Sequence, residues 1–492
     1  MILDEDTTAP ATTRPFGATR RLGVAEHFRI PYATEPAPAD RRLEHLCAET
    51  GAMLLWPSVY EPDARPVAAW IEDEPDGGIP IFARVLGDGQ VAQLLARQGG
   101  EWRRAAPLCG ARGERVGSIW TERSGSVLVP FDPDEVCECY LSESYLELVL
   151  GSGRSVARRS LMRSYYRVRR LLPRTTQIWL RRNYAHIQAR TPFPSWPVET
   201  ALHDFFELMA GLIAGLAHAP APRLATWPGG RSWALVLTHD VETAAGQRAI
   251  EPVLELERSL GVRSAWNFVP DRYSVDEELV RSLTADGFEV GVHGLRHDGG
   301  DLRSLAELRR RLPAMRVAAE RWGAVGFRSP SMHRKWDWMP SLGFEYDSSY
   351  PDTDPFEPQC GGCCSWLPFF NDGMVELPVT MPQDHTLFVI LDAPDESAWI
   401  EKASFLRSRG GMALVLTHPD YLVNDRIMSA YRRFLEHFAG DETAWNALPR
   451  EINRWWRDRT ASTIETTAYG WRVAGPAASE AVVEFVEPAN RW

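Results

Sequence analysis

Four short apolar runs in the second half of the chain end in residues that ionise or bind metals. WALVLT (233–238) leads into His239, Asp240, Val241 and Glu242. FEVGV (288–292) leads into His293, with His297 four positions on. VGF (325–327) leads into Arg328, and MALVLT (412–417) into His418, Pro419 and Asp420. Two imidazoles four apart, one helical turn, point the same way and chelate one cation. With a carboxylate they form a facial set that leaves coordination positions open. Such a cation acidifies water and polarises a carbonyl. A further carboxylate accepts the water's proton, and a separate His donates to a leaving group. These parts suffice for amide or ester hydrolysis. Taken singly each has a plainer reading: Asp240 as a helix N-cap, Glu242 as a first-turn charge, His418 as a core histidine, Arg328 as a structural clamp.

The elements that must position these residues alternate. Strand-like runs at 233–238, 264–269, 288–292, 325–327, 375–380 and 412–417 are separated by helical patterns at 249–261, 276–287, 304–322 and 397–411, with another at 426–438. This rhythm implies parallel strands with crossover helices, hence an α/β barrel or a doubly wound sheet. Catalytic groups in such folds collect beyond the C-terminal ends of the strands, where these residues stand.

The same segments resemble the polysaccharide deacetylases of the NodB-homology, carbohydrate esterase type. LTHDVE (237–242) resembles that family's T-F-D-D or T-F-D-V-D motif, and HGLRH (293–297) its H-S/T-x-x-H motif. GFRSP (326–330) is similar to its R-x-P motif, and LVLTHP (414–419) to its L-x-x-H-P motif. The resemblance spans about 230–450. It implies a distorted (β/α)7 barrel and a divalent cation, foremost zinc. It assigns Asp240 as catalytic base, His293 and His297 as metal ligands, Arg328 as the residue orienting the base, and His418 as catalytic acid. The third ligand is Glu242 by the D-V-D spacing, with His239, in place of the usual Phe, as the alternative. The family's remaining motif has no clear counterpart. FEYDSSYPDTDPF (344–356) stands in its place, where Asp347 pairs with His418, shapes the pocket or serves a turn. Ser331 offers a backbone N–H for an oxyanion, and Trp336 a stacking face for a sugar ring, unless it fills the core.

The resulting expectation is hydrolysis of an N-acyl, foremost N-acetyl, group on a carbohydrate or other small-molecule substrate. Two alternatives stand beside it: an amidohydrolase acting on a non-sugar amide or ureide, and a catalytically decayed carbohydrate-binding barrel.

A length of 492 residues implies two or three domains. The expected division is a flexible arm over 1–40, an α+β domain over 41–222, the barrel over 230–458, and a tail over 459–492 with a possible hairpin. APAPRLATWPGG (219–230) reads as a linker. A net charge of −12 argues against a nucleic-acid binder. Arg154 to Arg190 nevertheless contains eleven Arg and no acidic residue, which either docks on acidic neighbours or collars a phosphate-bearing substrate. Seven Cys without framework spacing read as reduced, cytoplasmic thiols, and MILDEDTTAP lacks the apolar core of a secretory signal. The apolar stretch at 208–217 is too short for a membrane span.

Overall fold

The computed structural model describes residues 16–36, 42–71, 78–150, 182, 188, 193–468 and 470–489. They divide into two units. One comprises residues 1–137, 204–229 and 458–492, the other residues 138–203 and 230–457. No described helix is long and apolar enough to cross a membrane. The Arg-rich segment lies outside the described residues, Arg182 and Gln188 excepted.

The second unit carries the site. Its parallel strands are β1 (Trp233–Val241), β2 (Ser264–Phe268), β3 (Glu289–Val292), β4 (Gly326–Phe327), β5 (Tyr346–Asp347), β6 (Met374–Glu376) and β7 (Met412–Thr417). They lie side by side in the order β7-β1-β2-β3-β4-β5-β6, and Phe369–Asn371 adds an antiparallel edge on β6. All nine residues of β1 are buried. This is why the run reads as continuously apolar: a parallel strand is covered on both faces. First and last strands in sequence are thus neighbours, as in a barrel. The seam between β6 and β7 is closed just beyond β6. There Met381 N–H donates to Leu414 O (3.1 Å), and the Thr380 hydroxyl donates to Met412 O (2.6 Å) and accepts from Leu414 N (2.8 Å).

Helices α1 (Ile250–Ser259), α2 (Glu277–Ala285), α3 (Leu305–Trp322), α4 (Ser397–Ser408) and α5 (Asp425–Phe438) follow β1, β2, β3, β6 and β7. Their starts are encoded locally. Asp276 caps α2 by accepting from Glu278 and Leu279 N–H, and Ser304 caps α3 by accepting from Glu307 N–H. The (β/α) repeat is irregular at β4 and β5. Single turns of 3₁₀-helix and the long loop 348–368 replace helices there, in the stretch where the sequence shows no 3.6-residue period.

The first unit holds a nine-stranded mixed sheet. Its helix Asp88–Gln98 lays Val91 and Leu95 on Leu43, Leu55, Trp120 and Leu128. Three expectations change here. Residues 16–36, expected within a flexible arm, form strand Phe16–Ala18, helix Gly23–Phe28 and strand Ala33–Thr34. Pairing of Phe16–Ala18 with Leu46–Ala48 creates that order, and three-residue strands leave no periodic signal. The expected linker contains strand Ala221–Leu224, paired antiparallel with Val483–Val486. The C-terminal segment also contains a hairpin, Thr463–Thr467 with Gly470–Ala474, and groups with the first unit, while the described residues between 138 and 203 group with the barrel.

Candidate active site at the strand ends

Alternation along β1 sends Thr238 and Asp240 to one face and His239 to the other. Asp240 Oδ1 accepts from Asn267 Nδ2 of β2 (2.9 Å) and Arg328 Nη1 just past β4 (3.2 Å). Arg328 is fully buried, and every arm of its guanidinium is used. Nη1 also donates to Thr238 Oγ1 (2.8 Å), Nε to Ser348 O (2.9 Å) and Nη2 to Ser348 Oγ (2.8 Å). Burial pushes the Asp240 carboxyl up, but His293, Arg328, His418 and the Asn267 amide outweigh it. The net position is below the usual carboxylate range.

His293 follows β3 directly, and its Nδ1 lies 3.1 Å from Arg328 O. A carbonyl only accepts, so Nδ1 carries the proton and Nε2 presents a lone pair. His293 and His297 do not lie on a helix, contrary to the one-turn reading of their spacing. Residues 293–300 form a loop with Gly294 at φ 63° and His297 at φ 51°. The loop is pinned from α3: Arg311 Nη1 donates to Asp298 (2.7 Å) and to Asp301 (2.8 Å), and Asp301 accepts from Leu295 N–H (3.1 Å). A Cβ at 294 would sit 2.5 Å from both Asp301 Oδ2 and Pro330 Cγ, which explains glycine at the second place of HGLRH.

Glu242, one residue past β1, completes the cluster. Its Oε1 is 2.8 Å from His297 Nε2, 3.9 Å from His293 Nε2 and 3.5 Å from His418 Nε2. One ligand atom from each of Glu242, His293 and His297 lies within 4.8 Å of the other two. Both Nε2 atoms are buried without a hydrogen-bond partner, although Glu242 is so near. Lone pairs that converge without hydrogen bonding are what a cation requires, and an N,N,O set fits a divalent metal such as zinc. His239 takes no part. Its Nδ1 is 2.7 Å from Thr417 Oγ1 and its Nε2 is 2.8 Å from Glu257 Oε1, while its ring stacks on Trp266.

His418 follows β7, and its Nδ1 lies 2.7 Å from Oδ1 of the buried Asp384, whose Oδ2 accepts the His418 N–H (2.7 Å). Burial pulls the imidazole down, but Asp384 and Glu242 raise it further, well above its ordinary value. Both carboxylates thus favour the protonated imidazole, whose Nε2 lies 3.5 Å from Glu242 Oε1.

The partner of His418 is thus Asp384 and not Asp347. Asp347 is fully buried and touches no open space. Its Oδ1 accepts from Ser349 Oγ (2.6 Å), and that hydroxyl accepts from Ser329 N (2.8 Å), beside Arg328. Burial lifts the Asp347 carboxyl to about 6 against the lowering contacts of Glu376 and Ser349, while burial and the neighbouring Asp347 push Glu376 well above its ordinary value. These are support groups beneath the loops rather than substrate contacts. Ser331 stands at φ 55° in the turn Pro330–Met332, partly exposed. Trp336 is partly exposed, and its ring contacts are Tyr350 and Phe369 rather than any residue of the cluster. Asn267 and Asp384 were missed from sequence. A polar residue inside the apolar run SAWNFV was the available signal for the first, and an acid four residues past VELPVT for the second.

No family model matches the chain, and no curated protein does. Among solved structures, one from Mycobacterium smegmatis classed as a polysaccharide deacetylase is similar at 21% identity and TM-score 0.40, covering 48% of this chain and 93% of its own. One from Pseudomonas aeruginosa PAO1, classed likewise, is similar at 19% identity and TM-score 0.40, covering 50% and 97%. An allantoinase structure is similar at 17% identity and TM-score 0.40, covering 47% and 92%.

Proposed function

We propose that this chain is a metal-dependent hydrolase that removes an N-acyl group, foremost N-acetyl, from a carbohydrate or sugar-containing substrate. The observation that carries this reading is one constellation. Two orphaned imidazole nitrogens and a carboxylate converge, with Asp240 Oδ2 3.6 Å from His293 Nε2 and His418 Nε2 3.5 Å from Glu242 Oε1. A divalent cation held by Glu242, His293 and His297 supplies Lewis acidity toward the acyl carbonyl and acidifies water. Asp240, kept ionised and oriented by Arg328 and Asn267, takes the proton of the attacking water. His418, held by Asp384, gives a proton to the departing amine. The products are a free amine and a carboxylate, so atoms and charge balance. The sugar assignment rests on the motif resemblance, and a phosphate-bearing substrate on the Arg-rich segment.

The test is hydrolysis by zinc-loaded protein, read as acetate release from N-acetylated sugars and nucleotide sugars and as loss of substrate for simple amides and ureides. Release from sugars that disappears on chelation supports the reading. Turnover confined to ureides or simple amides would replace the substrate class, and turnover unaffected by chelation would remove the metal from the reaction.

A further inference from the structure

We propose that Glu35, His45 and Cys47, in the first unit, form a second cation site suited to a zinc-like ion. The proposal does not depend on the hydrolase reading.

His45 and Cys47 are two apart on strand Leu43–Ala48, so their side chains stand on one face of the sheet. Leu46 between them is fully buried on the other face. Glu35 follows strand Ala33–Thr34, fixed by its N–H donating to Ala18 O (2.8 Å). Gly17 faces Cys47 across the antiparallel ladder. A Cβ at 17 would fall 1.8 Å from Glu35 Oε1, so the absent side chain is the niche in which the carboxylate lies. A Cβ there would displace only the end of the flexible Glu35 side chain and no backbone atom.

The carboxylate therefore sits 3.9 Å from Cys47 Sγ, with Oε2 3.9 Å from His45 Nε2. One donor atom from each of the three residues lies within 4.8 Å of the others. At 3.9 Å the N and O make no direct hydrogen bond. Tetrahedral zinc, with Zn–N about 2.0 Å and Zn–S about 2.3 Å, places its donors roughly 3.3–3.6 Å apart. The two 3.9 Å separations from the carboxylate exceed that range by roughly 0.3–0.6 Å, so binding draws the donors together. Thiolate, imidazole and carboxylate are each zinc donors, and three of them leave a fourth position for water or an external ligand. Without an ion, burial and then Glu35 hold the Cys47 thiol protonated, and it donates to the carboxylate. Binding replaces that proton: the S–H bond breaks, a sulfur–metal bond forms, and one proton leaves to solvent.

The probe is cobalt(II) added to the purified, reduced full chain. The expected result is a thiolate-to-cobalt charge-transfer band that saturates at one equivalent in His297→Ala and within two in the parent chain, where the Glu242 cluster also takes up cobalt, with one proton released as the band forms. Cys47→Ser abolishes the band. Gly17→Ala, which pushes Glu35 aside while removing no ligand, weakens cobalt affinity about tenfold. His297→Ala leaves the band intact, because the Glu242 cluster contains no sulfur. Thermal unfolding of the ion-free variants checks that they fold. Absence of the band in the parent chain, or its survival at full intensity in Cys47→Ser, overturns the proposal.

Discussion

The backbone carbonyl of Arg328 fixes the proton on His293 Nδ1, while the side chain of the same residue orients Asp240. One position thus sets a ligand tautomer through the main chain and a base through the guanidinium. The two roles separate by mutation. Arg328→Lys keeps the carbonyl but loses the forked contacts to Asp240, Thr238 and Ser348. The expected outcome is metal content unchanged by elemental analysis, with kcat reduced at least roughly tenfold. Loss of metal in parallel with activity would show that the side chain also shapes the ligand loop.

Asp240 and Glu242 are two residues apart and are assigned different work. Asp240→Asn is expected to lose at least about 100-fold in kcat with metal retained. Glu242→Gln is expected to lose the metal itself, since an amide is a poorer ligand than a carboxylate. Metal titration followed by steady-state rates distinguishes them, and the reverse pattern would exchange the two assignments.

What the sequence made legible follows from where chemistry sits in an α/β fold. Asp240, Glu242, His293, Arg328 and His418 end apolar runs, and reading strand ends leads to all five. His297 was reached through its spacing from His293, but the structure brings the pair together through a loop with positive φ at Gly294 and His297, a conformation that spacing does not encode. His239 looked equivalent to its neighbours because position along a strand does not reveal its face until a partner strand is placed. Glu257, Trp266 and Tyr431, which surround it, come from three different elements. Asp384 escaped because its relation to His418 is a contact across 34 residues of chain. The strand Phe16–Ala18 was illegible for a similar reason, as its order comes from pairing with residues some thirty positions on.

His239 supplies a contrast with the ligand histidines. It is completely buried in a network with Glu257, Thr417 and Tyr431. His239→Ala strands those partners, at a cost of about 3 kcal/mol or more, yet should leave metal stoichiometry per folded chain unchanged. His297→Ala should do the opposite, costing little stability without metal and abolishing tight binding. Chemical denaturation and metal analysis on both variants give the comparison. Metal loss in folded His239→Ala would bring His239 into the ligand set.

Glu289, at the start of β3, accepts from Arg450 N–H (2.9 Å) and the Tyr346 hydroxyl (2.8 Å), yet burial raises its carboxyl to about 7. A carboxyl raised on folding stabilises the fold fully below its unfolded value near 4.5, and that contribution is lost as pH rises through 7. Stability should therefore decline over that interval by about 3 kcal/mol from this group. Glu289→Gln removes the titration, so its stability relative to the parent should improve between pH 5 and pH 8, about the edges of that interval. Urea midpoints at the two pH values measure the difference. Equal differences at both would place the titration elsewhere.

Asp384 acts on the reaction only through His418. It accepts both the ring Nδ1 and the backbone N–H of that residue, so it fixes ring orientation and favours the protonated form. Asp384→Asn keeps the size and one acceptor but removes the charge that holds the proton. The histidine is then protonated in a smaller fraction of molecules, less general acid is available to the departing amine, and kcat should fall at least roughly tenfold. Substrates whose amine leaves easily without protonation should be spared, because they need no acid. An N-acetyl group on an activated aniline against one on an amino sugar makes that comparison. A loss equal for both substrates would mean that Asp384 holds the loop and not the proton. A loss confined to the amino sugar ties this buried carboxylate to the acid step, since a merely structural defect would slow both.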